Sequence, residues 1–508
     1  MAVITKYWVL DSLILVFGFI LVAYLYMTRK FKYWKKRGVV EIEPTAFIGN
    51  FGDCLTAKKS AGEWLKGMYN WSVGLPYMGF YVFDRPFLLV RDPSLIKKIL
   101  VKDFNYFNNR FVSASPHDRI GDANLFLIKN PQWKLVRSKL TPIYTSGRLK
   151  KMFELMDAVG DDLITLMESL ELEGSGKKLE LKELCARFTT DMIATTAFGV
   201  RANCLNNPEA EFREKGRKIF EPSLWRNFEI TSLFFAPQLA TPFGLKFVVD
   251  ESAKFLRTTL WDVINERERL GVKRGDLIDL LIELRNNKTE VFNNEFDFDG
   301  DNLLAQAIVF FNAGFETSSS ALSFTLYEIA LQPEIQDRLR AEIMKGLEET
   351  DGKVTYDLAT SLPYLDMVIS ETLRKYPTLP VLDRVANDNY KIPNSNLVIE
   401  KGTPVMIPVS GLQYDPEYFP NPEKYDPERF SETNKQTIKP STYLPFGEGP
   451  HNCIGMRIGL LQVKLGLLKL LPKYEFTPCE KTSIPMQLNP KSLFTVSQGG
   501  VFLKVNKI

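Results

Sequence analysis

Histidine is nearly absent from this chain: His117 and His451 are the two in 508 residues. A multi-histidine metal centre or a Ser–His hydrolase has almost nothing to work with. Cysteine is scarce too. Cys54, Cys185, Cys204, Cys453 and Cys479 are odd in number, scattered, and contain no CxxC pair. That argues against a disulfide framework or a structural zinc site and fits a reducing compartment. Charge of one sign is also missing: 64 Lys+Arg against 61 Asp+Glu leave +3, so no global basic field points to nucleic acid. With 45 % apolar and 25 % charged residues, a large core is feasible and wholesale disorder is disfavoured. The chemistry has to come from elsewhere, which directs attention to a cofactor.

What is present begins at the N-terminus. Tyr7 to Met27 is apolar apart from Asp11 and Ser12, long enough to cross a bilayer. Arg29, Lys30, Lys32, Lys35, Lys36 and Arg37 follow at once, which by the positive-inside rule places the body on the cytoplasmic side. A cleaved signal peptide predicts a shorter apolar core and small residues at its end, whereas this run closes on Tyr24-Leu25-Tyr26-Met27. The expected organisation is a retained anchor over 1–28, a basic linker over 29–45 and one body over 46–508. The sequons at Asn70 and Asn287 should then stay unmodified.

The body reads as mainly α with minor β. Met152–Leu170, Leu181–Phe198, Ser252–Leu270, Asp301–Leu331 and Met456–Leu471 carry helical apolar spacing. Tyr77–Val82 and Phe87–Arg91 flank a turn at Asp84-Arg85-Pro86, and a second hairpin is expected around Glu400-Lys401-Gly402. Four prolines between Asp415 and Phe430 exclude a long helix or central strand there.

Four constellations carry chemistry. Residues 444–455, Leu-Pro-Phe-Gly-Glu-Gly-Pro-His-Asn-Cys-Ile-Gly, place Cys453 in a stiffened glycine loop just before a helix. Exposed amides there favour a thiolate, a good axial ligand for haem iron, although a buried structural cysteine reads about equally well. The long helix has Ala313-Gly314-Phe315-Glu316-Thr317-Ser318 at its centre. Glycine and a back-bonding threonine weaken a helix there, giving either an opened turn or a kinked core helix. Glu371 and Arg374 share one helix face and can pair. Trp133 and Arg137 share another, on a short helix with Asn130 suited to its N-cap and Pro131 to its first turn.

Together these residues resemble the cytochrome P450 family. Phe446-xx-Gly449-x-His451-x-Cys453-x-Gly455 is similar to its haem signature, with His451 where the family usually has arginine. Ala313-Gly314-xx-Thr317, Glu371-xx-Arg374, Pro427-Glu428-Arg429-Phe430 and Trp133-xxx-Arg137 match its other motifs, in family order. The likeness is nearest to insect microsomal detoxification members. It implies a single large haem-thiolate domain behind a transmembrane helix and a haem b cofactor on Cys453. It implies cofactor contacts from Trp133, Arg137, Arg384, Arg110, His451, Phe446 and Gly447, and a structural triad of Glu371, Arg374 and Arg429. Thr317 would orient dioxygen and water, and Glu316 would relay protons. Pocket walls are implied at Phe126, Phe310, Phe311, Ala313, Phe315, Val381, Leu382 and Phe494.

The implied activity is monooxygenation of lipophilic molecules, with electrons from NADPH through a cytochrome P450 reductase and cytochrome b5 as an optional second donor, at the endoplasmic reticulum membrane. Clearance of plant toxins and insecticides and a dedicated step in hormone or lipid metabolism both fit, and a non-catalytic haem-binding membrane protein is the alternative from another class. Lys134, Lys139, Arg457 and Lys464 are the candidate basic patch for an acidic flavoprotein. Phe228, Phe234, Phe235 and Phe243 are candidates for dipping into the membrane.

Overall fold

The structure, a computed structural model, describes residues 5, 7–286 and 296–508; the sequon at Asn287 lies outside them. Trp8–Thr28 forms one helix whose most apolar window has a mean hydropathy of 2.3 and is 6 % buried. Its apolar side chains face outward all round, as in a helix made for an apolar surround. The basic stretch after it does not behave as a free linker. Trp34 is fully buried and lies so close to Gly79 that a Cβ there would come within 2.2 Å of the indole. Tyr33 Oη donates to Glu400 at 2.8 Å, and Arg29 pairs with Asp84. Aromatic residues within the basic run fasten it to the body.

The body is helical around one long central helix, Gly300–Ala330, capped by Asp299, whose side chain accepts from the Gly300 amide. Buried residues dominate its two ends. Against it pack Leu181–Ile193, Pro363–Lys375 and Met456–Leu470. The helical expectation over Leu181–Phe198 holds to Ile193, after which Ala194–Phe198 widens into a π turn ending at Gly199, φ 68°.

A four-stranded sheet lies at one side, in the order Tyr77–Val82, Arg85–Val90, Pro404–Pro408, Val381–Val385. The first turn is tighter than expected, because Arg85 and Pro86 already pair with Val82 and Tyr81. The second hairpin does not form. Pro404–Pro408 is a central strand, parallel to Arg85–Val90 and antiparallel to Val381–Val385, so both its edges are taken. Val398–Ile399 pairs instead with Tyr390–Lys391. The turn residues at 400–402 are consistent with either outcome; only the long-range pairing decides.

Candidate active site

Helices and sheet enclose an apolar cavity of about 290 Å³. Cys453 forms part of its lining. The loop before it is held by hydrogen bonds from Gly447 N to Leu444 O, Asn452 N to Gly449 O and Cys453 N to Phe446 O, the last at 2.8 Å. Gly449, at φ 75°, sits where a Cβ would come within 2.0 Å of the Leu100 carbonyl oxygen, so only glycine passes. The helix Met456–Leu470 starts three residues beyond the cysteine. Cys453 is accessible by surface area, but that surface faces the cavity. The expected thiolate preference is reversed in the protein alone. Burial pushes the thiol up from its ordinary value, outweighing the Gly455 amide and the cations of Arg137 and Arg110. A metal cation on the sulfur removes the proton outright.

Cations border the cavity near the sulfur. Trp133 and Arg137 project from Gln132–Leu140, whose N-cap is Pro131, one residue later than expected. Arg137 donates to the Asn452 carbonyl at 2.9 Å and to its side-chain oxygen at 2.8 Å. Arg384 and Leu382 project from one face of Val381–Val385 by strand alternation and both line the cavity. Arg384 is buried and pulled down to about 9 by desolvation and by Arg110. Arg110 stands 3.8 Å from Asp383. Arg110 Nε and Nη1 and Arg384 Nε have no hydrogen-bond partner.

Glu316 is the acidic residue of the lining, and Lys182 neutralises it at 3.0 Å. Three guanidinium groups therefore border the cavity with one nearby carboxylate, Asp383. Buried guanidinium nitrogens left without an acceptor are costly. A flat apolar group carrying two carboxylates fits this set, with the sulfur presented to its metal. Haem b meets that description.

His451 Nε2 lies 2.9 Å from the Asn108 carbonyl oxygen, an acceptor, which assigns the ring proton to Nε2. Nδ1 is buried without a partner. Burial, then Arg110 and Arg384, push the ring pKa far below its ordinary value. The ring is neutral and packs on Trp133, centroids 3.8 Å apart.

On the central helix, Phe310, Ala313, Gly314 and Thr317 follow the 3.6-residue period along the cavity. No turn opens: the helix is continuous through Thr317, whose hydroxyl donates to the Ala313 carbonyl at 2.6 Å. The threonine back-bond is accommodated without a break. Gly314 meets Ile193, where a Cβ would lie 2.3 Å from Cδ1; the glycine serves helix packing. Phe311 and Phe315 are turned away from the cavity and meet Phe198, Phe212 and Phe220 edge to face. Val381 likewise points into the core.

Phe126, Phe310, Leu382, Phe446, Gly447 and Phe494 are on the lining. Tyr144, Ile193 and Thr196 line the cavity outside the segments the sequence points to, while Phe247 and Asn312 lie within such segments without being singled out. For Asn312 the signal was available, a polar residue one before Ala313 on a helix already assigned to the pocket.

Glu371 and Arg374 are fully buried and paired at 2.7 and 2.8 Å. Arg429 Nε approaches Glu371 at 3.4 Å, and the Asp426 amide donates to the same carboxylate. The candidate basic patch is smaller than expected, since Lys464 is buried and paired with Asp366. Phe234 and Phe235 are core residues; Phe243 is exposed, together with Leu224 and Trp225.

Residues 59–505 match the family described as Cytochrome P450. Cytochrome P450 6k1 of Blattella germanica is 46 % identical, covering 99 % of this chain and 98 % of its own. Probable cytochrome P450 6g2 of Drosophila melanogaster is 44 % identical, covering 97 % and 98 %. Cytochrome P450 9e2 of Blattella germanica is 38 % identical over 95 % of each. The cysteine loop, the bordering arginines and this full-length similarity lead to one conclusion: the chain belongs to the cytochrome P450 family of haem-thiolate monooxygenases.

Proposed function

We propose that this chain is a membrane-anchored monooxygenase acting on lipophilic small molecules, xenobiotics such as plant toxins and insecticides, with electrons from NADPH delivered by a membrane-bound reductase. The observation that carries the reading is one cavity whose lining combines a cysteine sulfur, apolar walls and arginines with buried nitrogens that have no hydrogen-bond partner. When bound, haem supplies activation of dioxygen, one atom entering the substrate and the other leaving as water.

The protein's own residues do the rest. Cys453 ligates the iron. Arg110, Arg137, Arg384 and Trp133 hold the carboxylates, with Phe446 and Gly447 beside the group. His451 orients Trp133 and donates to a carboxylate only once protonated, which bound anions favour. Thr317 positions dioxygen and water through its free lone pairs. Glu316, tethered by Lys182, moves protons from the helix interface to Thr317. The buried Glu371–Arg374–Arg429 group braces the core. Phe126, Phe310, Leu382 and Phe494 exclude water and orient the substrate.

The exposed apolar helix supports an anchor over 1–28 and a position on the endoplasmic reticulum membrane. Residues 46–508 would form the catalytic domain and 29–45 its attachment. Lys134 and Arg457 are exposed and remain candidates for the reductase face.

The test is the absorption spectrum of the membrane-expressed protein, reduced and exposed to carbon monoxide. A strongly red-shifted haem band is expected, and Cys453→Ala should abolish it. Folded protein without haem would end the monooxygenase reading; an unchanged band in the variant would end the ligand assignment.

A further inference from the structure

Phe247 lines the cavity, yet it belongs to no helix or strand. It lies in the irregular stretch between Pro237–Leu239 and Asp250–Leu270. Both of its main-chain groups are taken by charged side chains from other segments. Its amide donates to Asp118 at 2.8 Å, and Asp118 also accepts from the Gly121 amide at 2.9 Å. Its carbonyl accepts from Arg226 Nη2. The preceding carbonyl, of Lys246, accepts from Arg226 Nη1 at 2.7 Å. Arg226 Nε donates to the Ile219 carbonyl at 2.9 Å, and Nη1 also meets Glu229 at 2.9 Å. Asp118 and Arg226 are buried, and neither is on the cavity lining.

Buried main-chain groups need partners, and a segment outside regular structure has no ladder of its own to supply them. The peptide between Lys246 and Phe247 is held at both ends, its carbonyl by Arg226 and its amide by Asp118. The carbonyl of the next peptide is held by the same guanidinium, whose donors lie in one rigid plane. A peptide unit is planar, so holding the planes on both sides of Phe247 fixes its two backbone torsions and the direction of its Cα–Cβ bond. The ring packs on Phe126, another lining residue, at an interplanar angle of 24° with centroids 6.2 Å apart. Buried charges are costly to place, and here two of them act on one residue of the cavity wall.

Resting on the monooxygenase reading, we propose that Arg226 and Asp118 are positioning residues for substrate selection, which aim the Phe247 ring at the cavity wall. They act through Phe247 without touching the bound molecule. The molecules selected in this way carry an aromatic or bulky apolar arm that extends from the reacting end to that wall.

The experiment titrates the haem-loaded, full-length protein with 1-methylimidazole and with bifonazole, following the shift of the haem band on nitrogen ligation. Both compounds ligate through the same ring, and only bifonazole carries a large aryl arm, so the ratio of their affinities reports the wall. Phe247→Ala should lower the bifonazole-to-methylimidazole ratio about tenfold. Arg226→Gln should lower it similarly although Phe247 is still present. The double variant should fall no further than Phe247→Ala alone, because one residue acts through the other. The affinity for 1-methylimidazole should stay the same throughout. If Arg226→Gln does not fold, Asp118→Asn decides. Its single carboxamide oxygen serves the amide of Gly121 or of Phe247 less well than two carboxylate oxygens serve both, and the ratio should fall about threefold. An unchanged ratio in whichever of these variants folds, even with a lowered melting temperature, overturns the proposal and leaves the two charges a purely structural role. Losses that add in the double variant also overturn it, as does a natural ratio in Phe247→Ala. Absence of any band shift with 1-methylimidazole in the natural protein defeats the monooxygenase reading itself, a separate and distinguishable failure.

Discussion

Lys182 Nζ stands 3.0 Å from a carboxylate oxygen of Glu316 and 2.8 Å from the hydroxyl of Ser319. One helix thereby holds the acid of another at the cavity wall. The two side chains are 15 % and 12 % exposed, so water replaces the pairing poorly. Lys182→Met keeps the apolar stem and removes the charge. Stability should fall by about 1–3 kcal/mol, between the values for exposed and fully buried pairs, read by urea unfolding. The share of NADPH electrons recovered in product should fall as well. An unchanged share would remove the role of Glu316 in proton delivery.

The Glu371–Arg374 pair lies at zero exposure. Glu371→Ala leaves a buried guanidinium without its anion, at a cost of about 3–5 kcal/mol, a large part of the stability of an ordinary domain. Little folded, haem-loaded protein is expected, measured as carbon monoxide-binding haem per unit of expressed chain. Arg429 is farther from the carboxylate, at 3.4 Å, and 13 % exposed. Arg429→Ala should therefore cost less than the removal of Glu371. A normal haem-loaded yield from Glu371→Ala would contradict the bracing role.

Gly314 is a matter of space. Alanine gains about 1 kcal/mol in helix propensity, but its Cβ would lie 2.3 Å from Ile193 Cδ1, and overpacking costs about 1–3 kcal/mol. Gly314→Ala should be destabilising. Combined with Ile193→Ala it should be less harmful than the sum of the two, because the truncated side chain vacates the contested space. Additive losses would show that the two residues do not meet.

His451 gives stability a pH dependence of known sign. Its pKa in the folded chain lies below the ordinary value, while the unfolded ring titrates near pH 6.5. Below about that pH the unfolded state binds the extra proton. Stability is thus full above it and falls as the pH drops, by up to about 1.4 kcal/mol per unit. Urea unfolding at pH 7.5 and pH 5.5 should show a larger loss for the natural haem-free chain than for His451→Gln. Loss of that difference on loading haem would show that the bound carboxylates keep the ring protonated.

Much of this was legible because the features are local. Asp299 caps the central helix where acidic residues crowd ahead of an apolar period, and the helix after Cys453 begins where the glycines end. The bordering arginines were found through motif resemblance, not through physics: nothing local marks Arg384 as a residue without enough anions around it. What escaped depends on distant partners. Thr317 does not open its helix, because its hydroxyl is accommodated by the carbonyl one turn back. Phe311 and Phe315 were assigned to the cavity by segment, whereas one extra step of 100° per residue turns them into the neighbouring aromatic cluster. Lys464 looked like a surface charge until Asp366 proved to sit beside it. The strand Pro404–Pro408 lost its expected hairpin because two sequence-distant strands claim both its edges.

The burial of Trp34 against Gly79 has a mechanical meaning. A helix ending at Thr28 and a body already gripping the chain at Trp34 leave very little slack between them. In the proposed membrane-anchored arrangement, the body is carried like a head on a stiff neck. Its tilt and height above the lipid are then set by the fold, and the exposed Leu224, Trp225 and Phe243 keep one fixed bearing relative to the neck. Loosening the neck, by Trp34→Ala or by a flexible insertion before it, would leave the cavity intact and randomise the direction from which a lipid-dissolved molecule meets it.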